Sequence, residues 1–262
     1  EREKSLPATL LAQKKLGLEI DWCKDLRSYK KLIPALRKYP DDILVTVDDD
    51  MFYPPEMLAE LLASYERDPQ NIHTQSAMRI EFDAEGNPTC YRTWKYVTEA
   101  DVPSCRNLIL GGTGTLYSPH SLDPEVLNVS AFQTLAPAAD DIWFWAMAIK
   151  AGRKIVVAHH GGGLSCSNNY RASYDAALWN QNQLTDGGND AQLSAVLAAY
   201  PEVVDRARRA STRPLQGDQL TLGLAELWRV CVGDGRESFL SPDFNVRKDR
   251  YILRGKKLYK GN

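Results

Sequence analysis

Two acidic clusters carry the chemistry that this sequence advertises. Asp48-Asp49-Asp50 follows the apolar run Ile43-Leu44-Val45-Thr46-Val47, and Asp140-Asp141 precedes Ile142-Trp143-Phe144-Trp145-Ala146-Met147. Two carboxylates about 4.5 Å apart repel by roughly 4 kcal/mol at an effective dielectric of 20. Three in a row at a strand end therefore call for a cation, protonation or solvent. A hard divalent ion suits oxygen ligands, and Mg²⁺ or Mn²⁺ keeps coordination places for phosphate oxygens. In an extended segment alternate residues share a face, so Asp48 and Asp50 converge on one ion while Asp49 points elsewhere. An exposed acidic turn is the plainer alternative. In the second cluster one Asp caps a helix and complements its dipole. The other, beside three aromatics, suits a carboxyl with a raised pKa and general-base work.

The remaining candidates are cations, glycines and rings. Arg27, Lys30 and Lys31 precede the first acidic cluster and are placed to neutralise phosphates; a solvated helix face explains any one of them equally well. Gly111, Gly112 and Gly114 flank Thr113, a spacing that lets backbone approach a ligand closely or simply makes a tight turn. Trp143 and Trp145 offer sugar-stacking faces, although core packing is the commoner fate of such residues. His159-His160 precede three glycines, and Asn180, Asn189 and Asp190 bracket Asp186-Gly187-Gly188, a candidate lid or the cap of the helix that follows.

These groups need a scaffold, and the pattern supplies one. The 262 residues are 44% hydrophobic and 25% charged, which suits a soluble globular chain able to bury about three-quarters of its surface. No apolar run approaches the roughly 18 residues of a membrane span. The five cysteines are odd in number with no CxxC pair, which favours free thiols in a reducing compartment. A net charge of −2 argues against nucleic acid as the main partner. The charge is uneven: residues 1–40 carry ten Lys/Arg against five acids, and residues 41–70 one Arg against nine acids. Such a junction suits an anion held through a metal. Strands are expected at Leu18–Trp22, Ile43–Val47, Ile72–Ile80, Cys90–Val97 and Lys154–Ala158. Helices are expected at Tyr29–Tyr39, Pro54–Glu66, Asp140–Lys150 and, broken by Pro201, Asp190–Arg209. The alternation reads as an α/β layer structure with a mainly parallel sheet. In such sheets ligands bind at the carboxyl ends of strands, where Asp48 falls.

The order of these motifs resembles a known family. Val47-Asp48-Asp49-Asp50 looks like the DxD motif of metal-dependent glycosyltransferases with the GT-A (Rossmann-like) fold. Gly111–Tyr117, then Asp140-Asp141-Ile142-Trp143-Phe144, then Ala151-Gly152-Arg153-Lys154-Ile155 are similar to the family 2-like members. Arg27-Ser28-Tyr29-Lys30-Lys31 resembles the basic stretch of the bacterial polysaccharide type. The resemblance covers about residues 5–200. It implies a mixed, mainly parallel GT-A sheet flanked by helices over residues 1–200, with a C-terminal extension over 201–262 that is helical or a joint to a further domain. It also implies a nucleotide-diphosphate sugar donor, UDP-sugar favoured, and transfer to a saccharide or lipid-linked acceptor in polysaccharide synthesis. Mn²⁺ or Mg²⁺ would sit on Asp48 and Asp50, with His160 or His159 completing its shell. Asp48, Asp49, Arg27, Lys30, Lys31 and Gly112 would face the donor, and Trp143 and Thr113 the acceptor. Asp141 matches the second acid of the family's pair and would be the base of an inverting enzyme. The pair here is Asp-Asp where the family has Glu-Asp, so Asp140 stays open as the base. The family's usual first strand has no counterpart in this chain. A cytoplasmic location is expected, at the inner membrane face if the basic tail Arg247–Lys260 meets anionic lipid; a solvated terminus or a joint to a further domain explains that tail as well. Two other classes compete: a sugar nucleotidyltransferase, which would release pyrophosphate, and a non-catalytic sugar-binding module. A DxDxT phosphatase is disfavoured because Phe52 stands where Thr should be.

Overall fold

The computed structural model describes residues 6–49, 51–158 and 188–210, together with the backbone of Ser167–Asn168, Tyr251–Arg254 and Lys257–Lys260. Its helices are α1 (Ala8–Gln13), α2 (Ile33–Lys38), α3 (Met57–Arg67), α4 (Val129–Leu135), α5 (Asp140–Lys150), α6 (Asn189–Ala199) and α7 (Pro201–Arg209). Its strands are β1 (Leu44–Thr46), β2 (Met51–Phe52), β3 (Ile72–Thr74), β4 (Ala77–Arg79), β5 (Lys95–Tyr96), β6 (Asn107–Ile109), β7 (Thr115–Tyr117), β8 (Ile155–Val157), β9 (Ser167–Asn168), β10 (Tyr251–Arg254) and β11 (Lys257–Lys260).

The fold is mixed α/β. The main sheet runs β1-β7-β3-β8, and a second sheet runs β5-β4-β6. β3 pairs with β8 in parallel, but β7 lies antiparallel to both β1 and β3. The sheet is mixed, as expected, but parallel pairing does not dominate it. β1, β3 and β8 do share a direction, and β7 is inserted among them because the short turn after β6 brings it back against the sheet. The expected strand at Leu18–Trp22 does not form, and Leu18 and Trp22 are largely exposed. The expected strand Ile72–Ile80 is divided at Gln75-Ser76 into β3 and β4, one in each sheet. Cys90–Val97 is a 3-10 turn at Tyr91–Thr93 followed by the two-residue β5. In the C-terminal extension α7 is helical as expected, and the backbone of β10 and β11 forms an antiparallel pair.

α5 is the centre of the core. From Ile142 to Ile149 every side chain is buried, as expected of a helix apolar on all faces. It packs on β6, α6, α7 and the 3-10 turn Pro124–Leu127. Trp143 donates to the Val126 carbonyl at 3.2 Å and Trp145 to the Cys105 carbonyl at 2.9 Å, so both indoles are buried with their polar atoms satisfied. Arg206 donates to the carbonyls of Ile149 and Lys150 and so caps the far end of α5. With that end held by α7, the Asp140-Asp141 end is fixed against the sheet. Among the described residues no helix is long and apolar enough to cross a membrane.

Candidate active site

Four elements bring the two acidic clusters together. Asp48 lies two residues beyond β1, and Asp140 and Asp141 form the first turn of α5. Gly111–Thr113 is a 3-10 turn between β6 and β7. Lys31 ends the 3-10 turn Arg27–Lys31 that leads into α2. That turn is anchored from within. Tyr29 stacks on Phe132 at 4.0 Å and donates to the Ala136 carbonyl, while Leu32 and Ile33 are wholly buried. The turn opens at Arg27, whose φ of 53° lies in the left-handed region and whose N–H donates to Asp25 at 2.9 Å. This left-handed step re-aims the chain, so that Lys31 faces inward and Arg27 and Lys30 face solvent.

Lys31 Nζ stands 2.6 Å from Asp48 Oδ1 and 3.4 Å from Asp140 Oδ2. One ammonium thus bridges residues from both acidic motifs. Its side chain is 17% exposed, which lowers its proton affinity, but Asp140, Asp141 and Asp48 outweigh that and hold it protonated. Asp141 Oδ1 accepts the Gly111 N–H at 3.1 Å. Burial and then the neighbouring Asp140 charge push the Asp141 carboxyl up to about 8, against the opposing pull of Lys31. Asp140 is buried, and its Oδ2 has no hydrogen-bond partner among the described residues.

The two glycines are what allow this packing. A Cβ at position 111 would lie 2.6 Å from Asp141 Oδ1, and one at position 112 would lie 2.7 Å from Asp48 Oδ2. The sequence suggested close approach of a ligand or a tight turn at these glycines; the turn forms, and it admits the protein's own carboxylates. Thr113 Oγ1 donates to the Leu110 carbonyl at 2.7 Å and tightens the turn. Tyr53, which sequence reasoning passed over, ties the turn to β1. Its hydroxyl accepts the Asp48 N–H at 2.7 Å and donates to the Gly112 carbonyl at 2.9 Å. Tyr91 was also missed. Burial raises its phenol far above the ordinary value, as does Asp141, while a hydrogen bond with Asn189 opposes the rise. Tyr117 and Tyr29 are raised too, first by burial and then by the charges of Asp141 and Asp140.

Of the expected site residues, the structure gathers Lys31, Asp48, Gly112, Asp140 and Asp141. Arg27 and Lys30 are exposed, and Lys30 reaches only Asp25, at 3.7 Å. Asp49 is also exposed. Trp143 is wholly buried between Phe132 and Tyr200, so it is a core residue and not an acceptor platform. Thr113 is buried with its hydroxyl engaged within its own turn. Asp190 does not cap its own helix through its side chain; it accepts the Tyr91 N–H at 2.7 Å and the Cys90 thiol at 3.3 Å. Asp50, His159, His160, Asn180 and the Asp186-Gly187 loop lie outside the described residues.

Asp48 fits a divalent metal in kind. It is 29% exposed and supplies hard oxygens, one of them over the open face of Gly112. Among the described residues no three His, Cys, Asp or Glu side chains cluster as a ready metal cage. Mg²⁺ commonly binds through one or two carboxylates plus substrate phosphates, and this donor set matches that pattern. Comparison with family models, with curated proteins and with solved structures gave no match.

Proposed function

We propose that the protein is a metal-dependent glycosyltransferase that moves a sugar from a nucleoside-diphosphate donor to a hydroxyl of a saccharide or lipid-linked acceptor. The observation that carries this reading is the convergence of Asp48, Lys31 and Asp141 on the Gly111-Gly112 turn. Such a transfer breaks the bond between the anomeric carbon and the diphosphate, forms a bond to the acceptor oxygen, and moves the acceptor proton to a base. Each part has a candidate. Mg²⁺ or Mn²⁺ on Asp48 supplies Lewis-acid charge to the diphosphate when bound. Lys31 places an ammonium beside the same oxygens. Asp141 takes the acceptor proton, its raised pKa matching it to a hydroxyl better than an ordinary carboxylate would. The Gly111 N–H engages Asp141 Oδ1, which leaves Oδ2 as the oxygen to receive the proton. Asp140, held 3.4 Å from Lys31, tunes both neighbours through its charge. This GT-A reading further implies an inverting outcome and a place on the cytoplasmic side of a membrane.

The test is thermal stability with UDP, GDP or CMP, each with and without Mn²⁺. Ligand at 100 times its dissociation constant stabilises by about 2.7 kcal/mol. Stabilisation by one nucleotide only with metal, lost in Asp48→Ala, is the expected result. No shift with any pair would overturn the reading.

A further inference from the structure

We propose that Lys31 is a resident counter-ion of Asp48 that yields its place to the incoming cation, so that metal and diphosphate bind as a pair and the free metal binds poorly. The inference rests on the glycosyl-transfer reading of the site.

The geometry sets up a competition. Lys31 Nζ lies 2.6 Å from Asp48 Oδ1. A Mg²⁺ or Mn²⁺ ion on that carboxylate would sit roughly 2.1 Å from its oxygen. Two positive centres on one carboxylate repel strongly in a partly buried site. The lysine backbone is fixed by the buried Tyr29, Leu32 and Ile33, so only its flexible stem can respond.

The same site offers the lysine somewhere to go. Asp140 Oδ2 is buried, lacks a hydrogen-bond partner among the described residues, and stands 3.4 Å from Nζ. Buried polar atoms are rarely left unpaired without a reason. A shift of about half an ångström would bring Nζ within hydrogen-bond distance of Asp140. Lys31 therefore has two positions: across Asp48 and Asp140 in the empty site, and on Asp140 once a cation holds Asp48.

The consequence is linkage. A free cation must displace an ammonium that already neutralises part of the Asp48 charge, which offsets part of the gain from binding. A cation arriving with a diphosphate brings negative charge that shares the displaced ammonium with Asp140. The diphosphate should thus raise metal affinity by more than its own contacts with the ion would.

Mn²⁺ binding to the full chain can be read by electron paramagnetic resonance, which counts free ion, with and without UDP or GDP. In the native protein Mn²⁺ alone should bind weakly, and the nucleotide should tighten it about tenfold or more. Lys31→Gln should bind Mn²⁺ alone about tenfold or more tightly than the native protein and gain less from nucleotide. Lys31→Arg keeps the charge and should stay weak. Equal affinity of native protein and Lys31→Gln for Mn²⁺ alone overturns the inference and leaves the glycosyl-transfer reading standing. Absence of Mn²⁺ binding with either nucleotide in every variant overturns both. Should Lys31→Gln not fold, a nucleotide effect below about twofold in the native protein overturns the inference by itself.

Discussion

Gly111→Ala is the smallest change that probes the site. Position 111 has no left-handed φ, so alanine is acceptable to the backbone there. On that ground alone the substitution should be neutral or stabilising by about 0.4–1 kcal/mol. The new Cβ, however, would stand 2.6 Å from Asp141 Oδ1, where ordinary contact begins at 3.4 Å. The carboxylate must retreat by about 0.8 Å, and the 3.1 Å bond from the Gly111 N–H is broken or bent. A hydrogen bond is worth about 0.5–1.5 kcal/mol, close to what the alanine backbone returns, and a misplacement near 1 Å costs about 100-fold in rate. The expected outcome is a loss of about 100-fold in kcat/KM, with the melting temperature within a few degrees of the native protein. The assay is nucleoside-diphosphate release from a panel of UDP-sugars with Mn²⁺, alongside thermal melts. A Gly111→Ala protein that turns over at the native rate would show that the position of Asp141 is irrelevant to the chemistry, and the reasoning would fall.

Other outcomes follow from the same geometry. Asp141→Asn should lower turnover by about 10³-fold and yet stabilise the fold. The folded carboxyl sits near 8, above its unfolded value, so the native state binds more protons between about pH 4 and pH 8 and stability falls as pH rises through that window. The melting-temperature difference favouring Asp141→Asn should accordingly widen from pH 5 to pH 8, and a constant difference would contradict the assignment. For the same reason, native kcat/KM should rise with pH across the neutral range as Asp141 ionises. Tyr53→Phe removes the link between Asp48 and Gly112 and should cost about 1–3 kcal/mol, read as weaker binding of Mn²⁺ with UDP. Trp143→Ala should destabilise by about 3–5 kcal/mol in urea unfolding, since its ring is wholly buried, whereas an acceptor platform would shift only the acceptor KM.

The parts of the site that could be read from sequence are those that depend on neighbours in the chain. Asp48 after a β-branched run, and Asp140-Asp141 ahead of an apolar helix, announce a strand end and a helix start by local pattern alone. Lys31 was one of three equivalent cations. What separates it is the burial of Tyr29 and Leu32 and the left-handed Arg27, which turn one side chain in and two out. The carboxylate-admitting role of Gly111 and Gly112 is a packing relation between residues about 30 and 64 positions apart, which no local signal carries. Trp143 misled because an aromatic beside an acid pair looks like a binding surface, and only the packing of α5 shows that it is inside. The antiparallel β7 was hidden for a related reason. Strand direction depends on where the chain returns, and alternation of strands with helices does not encode it.

The most direct measurement of the central claim is phosphorus NMR of the full chain incubated with Mn²⁺ and a panel of UDP-sugars, run in parallel with Asp141→Asn. The account expects a nucleoside diphosphate to accumulate with the native protein and to be nearly absent with the variant. Pyrophosphate as the product would instead assign a nucleotidyltransferase. Equal nucleoside-diphosphate release from both proteins would remove Asp141 from the reaction and contradict the account.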